Sequence, residues 1–461
     1  MKPSDLRTHA HAHAFDDYTE LRVQENREVR LTMINGALVH NSRAVDGGIS
    51  ARVANAGHWG FCSSPRVSEK ALGHVVERAS INAQILAQRS KRHIKGFPST
   101  KAKGHFDLTT HHYRRSTGEL IDFLAALDAH ILQSYPKLSA RRLVMHNHDM
   151  QKTLLTSEES EAFSMTPRTQ IYISMTLEKD GDPVELFCPY GGLGQFEDRF
   201  GDPSQLFEGL TEQYEHLENK ASGIQSEAGS KTCILGPEVT GVLAHEAIGH
   251  TTEADSMMDG SVAAHFMDKQ VASPLVTLVD FAHTALGETC PVPVRIDDEG
   301  TEAEDCTIID KGVLRRFMHN KQSAGQLNAV PTGNARAWLF SDEPLIRMRN
   351  TAILPGDSTL EEMIASVDDG YYLMRPGDGQ AGATSEFVFG VILGYEIKNG
   401  KLGRGLRETT MTGVGFDMLK TVSMVSEGLT WGATGWCGKG QPMTVGMGGP
   451  AIKCTLNMGG K

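Results

Sequence analysis

Residues 233–250, CILGPEVTGVLAHEAIGH, constrain the fold of this chain more than any other stretch, because they ask for polar side chains in an apolar interior. They read as a short strand, a Gly-Pro turn and a helix beginning near Glu238. Val239, Val242 and Leu243 make the inward stripe, which continues at helical spacing to Glu246 and His250, with His245 one turn beyond Val242. Burying a His-Glu-His cluster without partners is costly, so a metal or a dense hydrogen-bond network must compensate. On a regular helix, residues five apart diverge by about 140° around the axis. His245 and His250 therefore meet only if the helix widens to i to i+5 hydrogen bonding or ends at Gly249, which tolerates unusual backbone angles and leaves space free of a side chain.

Two nitrogen ligands from one turn, an adjacent carboxylate and a distant third ligand follow the general plan of a catalytic zinc site. In such a site Glu246 takes a proton from an acidified water and later delivers it to the leaving amine. The third ligand must come from elsewhere. Glu253 and Asp255 are near in sequence but suit a cap or solvated turn as well. Cys437, in GATGWCGKGQPMTVGMGG, has glycines on both sides that let the backbone approach a metal; as a lone cysteine it also suits a buried apolar position. On spacing alone a satisfied core network of His and Glu stays open.

The remaining sequence points to a sheet-rich α+β protein. Across 461 residues there are 48 glycines and only 7% aromatics, a balance that favours turns and close backbone approaches over a helical bundle. Residues 18–61 alternate in short apolar runs around an Asn35-Gly36 turn, and a helix with Leu72, Val75, Val76, Ala79, Ala83 and Leu86 on one stripe follows Ser68. Ser116 and Glu119 form a capping box for a second helix carrying Leu120, Phe123, Leu124, Leu127, Ile131 and Leu132, closed by Pro136. A third helix starts at Asp202-Pro203. The chain thus divides into an N-terminal α+β domain, residues 1–225, made of two antiparallel sheet-plus-helix units at about 15–90 and 110–222. A C-terminal, sheet-rich domain with one motif-bearing helix, residues 226–461, follows.

With 45 basic and 57 acidic side chains the formal charge is −12, which works against binding nucleic-acid phosphates or anionic lipid. No run reaches the ~18 apolar residues of a membrane span, and MKPSDLRTHAHAHAF lacks the apolar core of a signal peptide, so a cytoplasmic protein engaging neither nucleic acid nor membrane is expected. Seven scattered cysteines without a CxxC pair read as reduced thiols.

In order along the chain, ELRVQENREVRLTMINGALV, GHWGFCSS, HEAIGHTTEAD, DDEGTEAEDCTIIDKGVLRRFMHNKQSA, PTGNARA, RMRNTAILPGD, EIKNGK and GWCGKGQ resemble the TldD/PmbA metallopeptidases, historically labelled modulators of DNA gyrase. The resemblance implies a C-terminal metallopeptidase domain in which His245, His250 and Cys437 are zinc ligands and Glu246 is the catalytic carboxylate. It also implies a dimer, homomeric or paired with a motif-less paralogue. Its internal chamber would admit peptides or unfolded polypeptides, as in leader-peptide removal or degradation of small unfolded proteins. The chain keeps every motif residue and so resembles the active type, although Thr251-Thr252 stands where close TldD relatives would carry a Gly-Leu-like pair. A thiolate ligand weakens the Lewis acidity of zinc relative to three neutral ligands, which places more weight on Glu246.

Two other functions remain open: a cysteine hydrolase with Cys437 as nucleophile and His245 or His250 as base, and a non-catalytic partner or regulatory subunit. Among the remaining features, DDEGTEAED at 297–305 does not fit an EF-hand and reads as a solvated turn or a gate hairpin. Arg336 and Arg347 could anchor a peptide carboxylate, but structural pairing is preferred. His9, His11 and His13 alternate in a tail suited to adventitious metal binding. FVFGVILGYEI is by default a core strand, and otherwise an edge to which an extended peptide could add.

Overall fold

A computed structural model of the chain describes residues 17–55, 57–89, 96, 98–432 and 435–459; His9, His11 and His13 lie outside them. The fold is α+β. Strands β1 (Tyr18–Ile34) and β2 (Ala37–Asn55) form a long hairpin whose turn residues, Asn35 and Gly36, take φ of 48° and 82°. That is the left-handed geometry a two-residue hairpin requires. β3 (His58–Ser64) adds to β2, helix α1 (Glu69–Arg89) follows, and β4 (Lys103–Asp107) leads to helix α2 (Thr117–Ser134). β5 (Ala140–Thr156), β6 (Glu161–Lys179) and β7 (Asp182–Leu193) make a second meander. The two sheet-and-helix units join edge to edge through the β1–β5 pairing, giving one sheet in the order β3-β2-β1-β5-β6-β4, with β7 also on β6.

Alternation along these strands gives the sheet two unlike faces. Leu21, Ile49, Ala51 and Val53 pack on Leu72, Val75 and Ala79 of α1. Leu31, Leu143, Met145, Ile171 and Ile173 pack on α2 and on helix α3 (Phe207–Ala221). The reciprocal capping box at Ser116 and Glu119 is present, and Asp202 caps a tight first turn that leads into α3. Leu86 and Leu132, placed on inward stripes by spacing, are exposed, because each lies near the end of its helix beyond the sheet's cover.

The other face carries Arg22, Gln24, Asn26 and Arg52, which are buried too, and the half-buried Lys152. Gln24 and Asn26 donate to the Trp338 carbonyl, and Arg22 to those of Leu339 and Asp342. Here the DDEGTEAED segment departs from a solvated turn: Asp297, Asp298 and Glu299 are buried. Asp298 pairs with Lys152 at 2.6 Å and Glu299 with Arg52, while Asp297 accepts backbone N–H bonds from Glu299, Thr301 and Ala335. The acidic run faces a cationic sheet surface, so pairing replaces solvent.

From β8 (Gly229–Leu235) onward the strands belong to two further sheets and two short ribbons. In one sheet, β8 pairs with strands 369–381 and 452–458; the latter pairs with 409–414, which pairs with 386–398, which returns to 369–381. The ring is therefore closed, and the strand containing FVFGVILGYEI has neighbours on both sides, as a core strand does. Helix α4 (Pro237–Leu243) leaves β8 and packs against strand 442–449 of the other sheet. Gly241 allows this approach: a Cβ there would lie 2.5 Å from the Gly448 nitrogen.

Candidate metal centre

Beyond Leu243 the α4 helix widens. Residues 244–249 form a turn of i to i+5 type, closed by the His250 N–H donating to the His245 carbonyl, and a single tight turn, His250–Thr252, ends it. The two imidazoles consequently come together, with ring centroids 5.0 Å apart and planes at 82°. Three carbonyls of this turn find hydroxyl donors: Ser385 Oγ to Ala247, Thr251 Oγ1 to Ile248 at 2.7 Å, and Thr252 Oγ1 to Ile248 and Gly249. Thr251 and Thr252 thus answer the backbone accounting of a buried helix end. Gly249 does not use its conformational freedom, since its φ of −55° is ordinary helix; a Cβ there would meet Met348 Sδ at 2.0 Å. Its role is close packing.

Strand Gly435–Gly438, paired with Pro442–Gly449, carries Cys437 to the histidines. Arg347, fully buried, donates to the Cys437 and Gln441 carbonyls at 2.7 Å and fixes this hairpin, while Arg336 donates to the Met348 and Thr444 carbonyls. Both arginines are therefore structural. The ligating atoms of His245, His250 and Cys437 all lie within 4.8 Å of one another, and His250 Nε2 is 3.2 Å from Cys437 Sγ. Glu246 places its carboxylate oxygens 4.0 Å from His245 Nε2 and 3.7 Å from His250 Nε2.

Glu253, weighed in the sequence as a third ligand or a cap, stands at the N-cap position of the short helix Ala254–Met258, but its side chain makes no capping bond. Fully buried, it accepts from His250 Nδ1 at 3.0 Å and pairs with Lys439 at 3.0 Å, which in turn holds Asp255 at 2.7 Å. This orienting shell was not legible in the sequence. Lys439 stands two residues from Cys437, and only tertiary contact reveals its partners.

The surroundings treat the two imidazoles oppositely. Burial opposes charge on His250, yet Glu253 and Cys437 outweigh it and push the imidazole up to about 10. Burial, helped by the neighbouring His250, holds His245 well below its ordinary range, so its imidazole is neutral with a lone pair available, the form a metal ligand needs. Among the described residues, neither ring nitrogen of this fully buried His245 finds a hydrogen-bond partner. Donors bound at 2.0–2.3 Å around a tetrahedral ion stand roughly 3.3–3.6 Å apart. Two imidazoles and a thiol gathered within 4.8 Å, with one pair at 3.2 Å, make a donor set that suits a transition-metal ion.

Two family models match the chain, the PmbA/TldA metallopeptidase C-terminal domain over residues 228–460 and the PmbA/TldA metallopeptidase domain 1 over residues 19–83. A zinc metalloprotease TldD homolog of Saccharolobus solfataricus is 28% identical over 91% of this chain and 91% of its own length. Among solved structures, a Thermotoga maritima protein described as a candidate modulator of a DNA gyrase superposes with a TM-score of 0.79 at 18% identity, covering 99% of both chains. TldE from Thermococcus kodakarensis gives 0.75 at 16% identity and covers 100% of both. At these identities the two structures speak for the fold.

Proposed function

Because the chain belongs to the PmbA/TldD family of metallopeptidases, we propose that it is a zinc-dependent peptidase in which His245, His250 and Cys437 hold the metal and Glu246 is the general base. The observation that carries this reading is the buried imidazole of His245, without a hydrogen bond among the described residues, converging with His250 Nε2 and Cys437 Sγ. Zinc at such a site supplies Lewis acidity towards the scissile carbonyl and makes water more acidic. The chain's own residues do the rest. Glu246 accepts the proton of the attacking water and returns it to the leaving amine nitrogen. Glu253 holds the His250 ring through Nδ1, so that Nε2 faces the ligand set. Arg347 anchors the backbone at Cys437.

The Cys437, His250 and Glu253 chain also has the form of a thiol triad, with the 3.2 Å Sγ to Nε2 contact in its favour. Two facts weigh against it. It leaves His245 buried with no hydrogen-bond partner among the described residues, and Cys437 is only 3% exposed whereas the Glu246 side chain is 24% exposed.

We further propose that the substrates are peptides or unfolded polypeptides, that residues 1–225 and 226–461 are the two domains, and that the chain works in the cytoplasm. The division of the sheets after β7 supports the boundary. Scattered cysteines without a CxxC pair or a disulfide-like spacing support a reducing compartment. No helix among the described residues is long and apolar enough to cross a membrane. A chamber-enclosing dimer, homomeric or with a motif-less paralogue, is the assembly the family resemblance favours, and the light-scattering mass of the purified chain, alone and mixed with such a paralogue, tests it.

The deciding experiment measures zinc per chain and peptide hydrolysis together. Wild type should carry about one zinc, His245→Ala and Cys437→Ser should lose it, and chelation should abolish hydrolysis that zinc then restores. Hydrolysis that survives complete metal removal would move the assignment to the thiol.

A further inference from the structure

Glu246, rather than His245, His250 or Cys437, reaches the lining of a cleft of about 390 Å³, within the roughly 300–1,000 Å³ of small-molecule sites. Its walls come from four parts of the chain. Val242 lies on the motif helix, Tyr172 and Phe187 on β6 and β7 of the first sheet, Phe389 on the closed ring, and Trp436 and Met447 on the hairpin that carries Cys437. Phe187 and Trp436 are 38% and 42% exposed, so two large apolar side chains left open to solvent line this one concavity.

The charges are as selective as the walls. Arg375, the cation of the lining, is already engaged: it pairs with Glu238 at 3.2 Å and donates to the Phe187 carbonyl at 3.0 Å, tying the first sheet to the motif helix. Asp378 and Glu246 then leave the lining with excess negative charge. An acidic side chain would find no free basic side chain among the described lining residues, whereas an apolar one would cover Phe187 and Trp436.

We propose that this cleft is the primary specificity pocket, taking a large aliphatic or aromatic side chain of the residue that flanks the scissile bond and rejecting an acidic one, with Phe187 and Trp436 as its determinants. The first sheet thereby takes part in substrate choice. The inference rests on the peptidase reading and deepens it.

The test uses full-length zinc-loaded protein and quenched fluorescent peptides that differ only at the two positions flanking the cleaved bond, set to Phe, Leu, Ala or Asp in turn. At one of the two positions, kcat/KM should favour Phe or Leu over Ala by at least ~10-fold and over Asp by ~100-fold. Trp436→Ala and, separately, Phe187→Ala should bring the Phe-to-Ala ratio within about threefold at unchanged zinc content, and Phe187→Arg should raise the relative rate on Asp. A flat wild-type profile, or a ratio that moves in neither alanine variant, overturns the proposal. Anisotropy titrations of the same peptides against Glu246→Gln separate the two readings. Preferential binding of Phe and Leu peptides without wild-type hydrolysis keeps the pocket and removes the peptidase, hydrolysis without preference does the reverse, and neither binding nor hydrolysis removes both.

Discussion

Glu246 and Glu253 flank the same imidazole, yet their surroundings set them different tasks. Glu246 opens to the cleft, and Glu253 is sealed against His250 Nδ1 and Lys439. Glu246→Gln should therefore keep its zinc and lose about 10²- to 10⁴-fold in kcat, measured beside metal content on the same preparation. Glu253→Gln should instead raise the zinc dissociation constant by about 10- to 100-fold and recover most of kcat at saturating zinc. The reverse pattern would exchange the two roles. At this scale the HEAIGH residues were legible from spacing and burial cost. Glu253, Lys439 and Arg347 were not, because an orienting residue is defined by what it touches, and its partners come from other segments.

The motif helix shows how an element can depart from its regular form under tertiary control. The wide turn was foreseeable from two histidines five apart, but its cost is met by hydroxyls of Thr251, Thr252 and Ser385 that fill the carbonyl positions. Thr252→Val keeps the volume and removes the donor. It should destabilise the protein by about 1–3 kcal/mol and weaken zinc retention, checked by thermal melting of apo and loaded forms. Gly249→Ala drives a methyl onto Met348 and should cost about 1–3 kcal/mol through overpacking. A melting temperature unchanged from wild type would contradict this packing role.

At the scale of the whole molecule, the polar face of the first sheet is an internal seam. Glu299→Ala leaves Arg52 buried without one of its partners and should destabilise by about 3–5 kcal/mol, seen as a lower unfolding midpoint at constant ionic strength. A pH response follows from His319, which burial, aided by Arg316, lowers to about 4. The folded state refuses a proton that the unfolded chain accepts near 6.5, so the stability tied to the neutral imidazole is complete above that pH and declines as pH falls towards about 4. His319→Gln should flatten the midpoint's dependence between pH 6.5 and 4 relative to wild type; an unchanged slope would place the acid sensitivity elsewhere.

Local chemistry was sufficient for what the sequence determined alone. Asn35-Gly36 sets a hairpin by its backbone angles, Ser116 and Glu119 start a helix by reciprocal capping, and period-two alternation assigns one apolar face to each strand. His245, Glu246 and His250 declare themselves because polar groups on an apolar stripe need compensation. Only the tertiary structure decided that the opposite face of the sheet is buried, that Asp297, Asp298 and Glu299 meet cations rather than water, and that Cys437 reaches His250. Alternation reports which residues share a face but not what covers it, and pairing across hundreds of residues is settled by charge and shape complementarity that no local window contains.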